Sequence, residues 1–165
     1  MQAITTDRLI IRTLALDDAP FILTLFNQPD CIRFIGDKNL KTTEDAKNYI
    51  INGPQASYRE HGFGLLAVRL HSGEAVGLCG LLKREEYELP DLGYAILSDY
   101  YRQGIALESC QAVLAHYSDK KRLLAMTHPE NKGSQVVLDK LGFKFDKAIE
   151  NEEKQTVTNC YLLAR

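Results

Sequence analysis

The stretch Asp91-Leu92-Gly93-Tyr94-Ala95-Ile96-Leu97 decides the fold, because it is a strand-forming run that leads into a helix. From Ala106 onward, the apolar residues follow helical spacing. The connecting turn, Tyr101-Arg102-Gln103-Gly104-Ile105-Ala106, exposes the first N–H groups of that helix, which have no intrahelical acceptor. Together with the positive end of the helix dipole, these groups predict an anion site suited to a phosphate or pyrophosphate. The alternative is an ordinary glycine turn with Arg102 solvated.

The segments on either side of this stretch predict one mixed α/β domain spanning residues 1–165. Further strands are predicted at Arg8–Leu14, Gly62–Leu70, Ala75–Leu82, Lys121–Thr127, Phe143–Ile149 and Thr156–Leu163. Helices are predicted at Asp17–Phe26 with an aspartate as N-cap, at Thr42–Ile51 with a capping signal, and at Asn131–Leu141. The strand at 121–127 follows a helix, so it can lie parallel to Asp91–Leu97, and α/β sheets bind ligands beside such strand ends.

Composition disfavours several classes of function. The net charge is 20 − 22 = −2, which lacks the basic field that a non-specific nucleic-acid binder needs. The four widely spaced cysteines indicate reduced core residues of a cytoplasmic protein, and the four histidines lack the spacing of a zinc site, so no metal is predicted. No apolar run reaches the ~20 residues of a membrane helix, and no secretory signal is predicted.

Three motifs together resemble the GNAT superfamily of N-acetyltransferases. They are Gly93-Tyr94, the turn at 101–106, and the run Asn131…Ser134…Leu138-Asp139-Lys140-Leu141-Gly142-Phe143. Within the superfamily they are most similar to the branch containing the RimJ and RimL ribosomal-protein N-terminal acetyltransferases. The resemblance, which extends from Thr6-Asp7-Arg8-Leu9 to Tyr161, implies an α/β (α+β) GNAT-like fold. Its mixed, mostly antiparallel central sheet would have about six to seven strands, with helices on both faces.

The resemblance also implies acetyl-CoA as the cofactor, with its pyrophosphate bound at the turn. The superfamily pattern is Gln or Arg, two residues, Gly, one residue, then Gly or Ala; Tyr101 stands at the Gln/Arg position and Arg102 follows it. Backbone amides do most of the phosphate binding, so this departure puts the role of the Arg102 side chain in question more than the existence of the phosphate site. The pantetheine arm would pair with the main chain of Ala95-Ile96-Leu97 like an added strand. Asn131 would contact the coenzyme arm, or serve only as a helix N-cap.

Candidate catalytic residues follow from the same resemblance. Asp91 stands where several members place a glutamate as general base, and the alternative is a solvated carboxylate. Many members use a tyrosine as general acid at the position of Leu138, which cannot donate a proton. Ser134 matches the serine of the RimJ/RimL branch and is the candidate acid, the alternative being a residue of the helix surface. Tyr94 is a candidate to line the acceptor site.

The predicted reaction is direct transfer of an acetyl group to a primary amine in a ternary complex. The acceptor is a protein N-terminal amine or a small-molecule amine such as a polyamine, an amino acid or an aminoglycoside. Three variable segments would choose it: Cys31–Gly36, in which Arg33 and Phe34 are candidate substrate contacts, Lys83–Pro90, and Glu150–Gln155. A rival interpretation is a coenzyme-binding module that has lost catalysis, and the sequence leaves a monomer or a homodimer open.

Overall fold

An eight-stranded mixed sheet forms the centre of the protein in a computed structural model that describes all 165 residues. The strands are β1 (Ile4–Thr5), β2 (Leu9–Thr13), β3 (Leu65–Leu70), β4 (Ala75–Leu82), β5 (Asp91–Ile96), β6 (Arg122–Thr127), β7 (Lys144–Asn151) and β8 (Thr156–Ala164). Their order across the sheet is β1-β2-β3-β4-β5-β6-β8-β7. Every predicted strand is confirmed. The expected number falls short of eight because β1 has only two residues, too few to show an alternating pattern.

Helices pack on both faces of the sheet, as predicted. They are α1 (Ala19–Phe26), α2 (Pro29–Phe34), α3 (Thr43–Ile50), α4 (Ala56–His61), α5 (Ile105–His116) and α6 (Lys132–Lys140). On one face, α1 and α3 bury apolar residues such as Ile22 and Ala46 against Leu78 of β4. On the other face, α5 and α6 bury residues such as Val113 and Leu138 in a second core. No helix is long and apolar enough to cross a membrane.

The predicted helix caps have mixed outcomes. Thr42 caps α3 as expected, because its hydroxyl accepts a hydrogen bond from the Asp45 N–H at 3.1 Å. Asp18 occupies the N-cap position of α1 as predicted, but its side chain makes no capping hydrogen bond to that helix. Its buried carboxylate binds the guanidinium groups of Arg12 and Arg69 instead, at 2.9 and 3.0 Å. Asp18 therefore fastens β2 and β3 to the start of α1.

The only parallel pair of strands, β5 and β6, is short. Asp91 pairs with Leu124 and Leu92 with Ala125, and no pairing continues beyond these residues. The strands therefore separate after Leu92, while β5 stays paired with β4 to its end and β6 stays paired with β8. The space between the two strands is called the β5–β6 gap below.

Candidate active site

The turn between β5 and α5 presents a series of N–H groups that have no partner. The N–H groups of Gln103, Gly104, Ile105 and Ala106 have no acceptor within the protein. Arg102 and Gly104 have positive φ angles of 60° and 77°. Left-handed residues within a turn are typical of concave main-chain sites for anions, and a non-glycine residue with this conformation is uncommon. The turn is thus open for an anion rather than closed by its own hydrogen bonds.

Two main-chain hydrogen bonds fix the orientation of β5. At its end, the Leu97 N–H donates to the Val76 carbonyl on the β4 side, at 2.8 Å. At its start, the Pro90 carbonyl accepts from the Leu124 N–H on the β6 side, at 2.9 Å. Because main-chain groups alternate in direction along a strand, odd-numbered residues of β5 face β4 and even-numbered residues face β6.

This alternation decides which main-chain groups of β5 are free. The groups of Tyr94 and Ile96 face the β5–β6 gap, where no strand pairs with them. Those of Ala95 and Leu97 face β4. The expectation that Ala95-Ile96-Leu97 offers its main chain to the coenzyme therefore fits Ile96 but not Ala95 or Leu97, and Tyr94 supplies the second free position.

On the α5 and α6 side of β5, the structure brings Tyr94 and Ser134 together. Their hydroxyl oxygens lie 2.7 Å apart, and the Tyr94 hydroxyl also donates to the Ser134 carbonyl at 3.1 Å. Burial raises the pKa of Tyr94, so its phenol stays protonated. Asn131 caps α6, with its side-chain oxygen accepting from the Ser134 N–H at 3.2 Å. Leu138, one turn further along α6, is in the core and only 1% exposed.

Asp91 lies on the opposite side of β5 and is not solvated. It is 2% exposed, and Arg84 binds both of its carboxylate oxygens, from Nε at 2.9 Å and from Nη2 at 3.2 Å. Burial raises the pKa of Asp91, and the charge and hydrogen bonds of Arg84 oppose that rise. The alternation of side chains along β5 separates Asp91 from Tyr94 and Ser134. The two candidate catalytic residues thus flank β5 rather than meeting.

Helix α2, in the segment predicted to wall the acceptor site, joins the ends of β5 and β6. Near its start, the Gln28 side-chain oxygen accepts from the Ser98 N–H, just after β5, at 2.7 Å. At its end, Arg33 forms an ion pair of 2.7 Å with Glu130, just after β6. The helix therefore crosses the open end of the β5–β6 gap.

Phe34 and Tyr94, the other two predicted substrate contacts, lie apart from each other. Phe34 packs against the ring of His128 with centroids 5.4 Å apart, and the Arg33 guanidinium lies 4.7 Å from the centroid of Phe34. Arg33 and Phe34 are thus neighbours at the end of β6. Tyr94, in contrast, directs its hydroxyl to Ser134.

Sequence reasoning missed Arg84 and Gln28. The charged loop that precedes Asp91 offered a signal for Arg84, because an arginine seven positions from a carboxylate can pair with it across a short turn. Gln28 offered none, since its partner Ser98 is distant in the sequence.

Comparison with known proteins gives the family. Residues 8–144 match the family model described as an acetyltransferase (GNAT) domain, which is most of the chain. The chain belongs to the GNAT acetyltransferase family. This acetyltransferase is 26% identical to the uncharacterized N-acetyltransferase YoaA of Bacillus subtilis over 143 residues, which cover 84% of this chain and 81% of YoaA.

Solved structures show the same fold at low identity. The acetyltransferase superposes on RimL, a ribosomal L7/L12 alpha-N-protein acetyltransferase in complex with coenzyme A, with a TM-score of 0.85 and 16% identity, covering 99% of this chain and 98% of RimL. It superposes on MccE, a microcin C7 self-immunity acetyltransferase in complex with acetyl-CoA and AMP, with a TM-score of 0.83 and 16% identity, covering 97% and 94%.

The residues present fit the acetyl-CoA that the GNAT family uses. The unpaired N–H groups of residues 103–106 suit a diphosphate, because they offer several donors at a helix N-terminus. The free edge of β5 at Tyr94 and Ile96 suits the amide groups of a pantetheine arm, which can add to a sheet edge as a strand does. The turn and the free edge of β5 thus match the chemistry of the two parts of the coenzyme.

Proposed function

We propose that this acetyltransferase binds acetyl-CoA at the turn and the β5–β6 gap. The N–H groups of residues 103–106 bind the diphosphate, and the main chain of Tyr94 and Ile96 binds the pantetheine arm. The observation that carries this proposal is the set of N–H groups without acceptors at the open end of the gap. Arg102 adds a positive charge, and Asn131 retains a free side-chain NH₂ group for the arm because its oxygen is used by Ser134.

The bound coenzyme supplies an acetyl group activated as a thioester. The amine acceptor approaches from the Asp91 side of β5, where Leu124 and Cys160 lie on the sheet outside both helix-covered cores. Asp91 takes a proton from the amine, and a free main-chain N–H of β5 polarises the acetyl carbonyl. The amine nitrogen bonds to the acetyl carbon as the C–S bond breaks, and Ser134, on the other side, donates a proton to the departing sulfur and regains one from water. The transfer is direct, within a ternary complex.

The acceptor side carries charges of both signs. Desolvation lowers the pKa of Lys38, and so do the neighbouring charges of Arg84 and Lys154. Arg84 and Lys154 belong to two of the segments expected to choose the acceptor, Lys83–Pro90 and Glu150–Gln155, and Lys38 follows the third, Cys31–Gly36. Asp91 offsets Arg84, and the charge of Glu86 acts on both, so this surface combines the cations Lys38 and Lys154 with carboxylates. The structural similarity to RimL, a ribosomal L7/L12 alpha-N-protein acetyltransferase, supports a protein N-terminal amine as the acceptor.

A thiol-release assay with acetyl-CoA tests the proposal. The acceptors are peptides with a free amino terminus and either aspartate or lysine at the next two positions, their N-terminally blocked counterparts, and spermidine. We expect turnover on free termini only, with both the aspartate and the lysine peptide accepted, because charges of both signs lie at the acceptor side. Turnover confined to spermidine would overturn the acceptor, and calorimetry showing no coenzyme A binding would overturn the whole proposal.

Replacing Arg84 should shift the pH dependence of the reaction. If Asp91 is the base, kcat at saturating substrates falls on the acid side as Asp91 becomes protonated. Arg84 favours the charged carboxylate, so Arg84→Gln should raise the pKa of Asp91 further and move this acid limb to higher pH. Arg122→Gln, at an exposed arginine without an ion pair, is the control. An acid limb that stays in place would remove Asp91 from the reaction.

A further inference from the structure

Arg8 links the N-terminal segment to the Arg102–Ala106 turn, although the two are far apart in the sequence. Its Nη1 group donates to the Gln103 carbonyl at 2.7 Å. Its Nε and Nη2 groups each lie 2.6 Å from the same carboxylate oxygen, Oε2 of Glu108, in the first turn of α5. One guanidinium group therefore contacts both the turn and the helix that follows it.

Glu108 is itself held by the N-terminal segment. Its Oε1 atom accepts from the Thr6 hydroxyl at 2.6 Å and from the Arg8 N–H at 3.2 Å. The Thr6 hydroxyl also accepts from the Leu9 N–H at 3.0 Å, which ties it to the start of β2. Although partial burial opposes the change, these hydrogen bonds and the charge of Arg8 lower the pKa of Glu108. Such a network fixes a side chain more firmly than an isolated exposed ion pair does.

The hydrogen bond from Arg8 to Gln103 also sets the direction of the next N–H group. In a trans peptide, the C=O and the following N–H point in opposite directions, and this chain has no cis peptide. A Gln103 carbonyl held by Arg8 therefore directs the Gly104 N–H away from Arg8, where it has no acceptor in the protein. Glycine permits both orientations of this peptide, so without Arg8 the direction would not be fixed.

We infer that Arg8 is a positioning residue for coenzyme binding. It holds the peptide between Gln103 and Gly104 so that the N–H faces the coenzyme diphosphate, and Glu108 holds Arg8 in place. This inference rests on the proposed function, because it takes the turn as the diphosphate site. It differs from a simple electrostatic role for Arg8, since Glu108 already balances the charge of the guanidinium.

Calorimetry of coenzyme A binding separates the two roles. Arg8→Ala should weaken binding by about tenfold or more, as expected when a hydrogen bond to a charged group loses its alignment. Arg8→Lys should weaken it similarly, because lysine lacks the planar fork that reaches Gln103 and Glu108 together. Arg59→Ala, at an exposed arginine on α4 without a hydrogen-bond partner, should bind as the wild type does.

Turnover with acetyl-pantetheine distinguishes a loss of diphosphate binding from a general loss of structure, which would lower turnover with every donor. This donor lacks the diphosphate, so its kcat/KM should be the same in Arg8→Ala and in the wild type. Wild-type affinity for coenzyme A in Arg8→Lys would overturn the positioning role in favour of charge alone. If Arg8→Ala lowered kcat/KM for acetyl-pantetheine as much as it weakens coenzyme A binding, that result would also overturn the positioning role. A wild-type protein that does not bind coenzyme A would refute the proposed function itself, whereas tight binding by both wild type and Arg8→Ala would refute only this inference.

Discussion

A Gly104→Val variant should bind coenzyme A at least about 100-fold more weakly than the wild type, a loss of roughly 2.7 kcal/mol. Gly104 has a φ of 77°, a conformation that is strained for any residue with a Cβ and most of all for a β-branched one. An added Cβ would also lie 3.3 Å from Nη2 of Arg8. The turn must then change its backbone angles, which disperses the N–H groups that face the same anion.

The control for this variant is Gly62→Val. Gly62 ends α4 with φ 75° and ψ 7°, almost the angles of Gly104 at 77° and 6°, and an added Cβ there meets nothing within 4 Å. Both variants carry a similar backbone cost of about 1–2 kcal/mol in stability, so thermal unfolding should respond alike. Only Gly104→Val should lose coenzyme affinity in calorimetry. Equal affinities in the two variants would show that the turn does not bind the diphosphate.

The turn could be predicted from sequence because its causes are local. A strand run, a glycine and the first turn of a helix lie consecutively in the chain, and the missing acceptors follow from where the helix begins. The cap of α6 is local for the same reason, since Asn131 and Ser134 belong to one helical turn. The positive φ of Arg102 was not predictable, because residues other than glycine seldom adopt it.

The partners of the site residues could not be predicted, because packing between distant segments supplies them. A carboxylate after a proline is expected to be solvated, yet Asp91 is buried and pairs with the guanidinium of Arg84, which itself stays exposed. The separation of β5 and β6 is equally hidden, because each strand shows an ordinary apolar pattern by itself. Arg8 reaches the turn only because the fold places the segment before β2 beside the start of α5, which is distant in the sequence.

The separation of β5 and β6 explains how one strand can serve both substrates. Side chains of β5 alternate between its two faces, so Asp91 faces the proposed acceptor side and Tyr94 faces α6. Main-chain groups directed sideways into the gap lie between these faces. A thioester held at that edge would have the Asp91 carboxylate on one side and the Tyr94–Ser134 hydroxyl pair on the other. The proton taken from the amine and the proton given to the sulfur would then involve different residues.

Removing the hydroxyl of Ser134 should lower kcat by about 100-fold with little change in KM for acetyl-CoA, as expected for loss of a general acid. Leu138 cannot replace it, being apolar and buried one turn away on the same helix face. Tyr94→Phe should lower kcat by roughly tenfold, because the phenol orients the Ser134 hydroxyl at 2.7 Å but is not itself the donor. Since the two groups act together, the double variant should be no slower than Ser134→Ala alone.

Tyr161→Phe is the matched control for the tyrosine change. Tyr161 is half-buried on β8, packs against the same core as Tyr94, and its hydroxyl makes no hydrogen bond in the protein. Steady-state kinetics should show wild-type kcat for this variant, and thermal unfolding should show that all the variants fold. If the losses of Ser134→Ala and Tyr94→Phe simply add, the two hydroxyls act independently. If neither variant slows turnover while coenzyme binding persists, the proton for the departing sulfur comes from elsewhere, and water at the open end of the gap becomes the next donor to test.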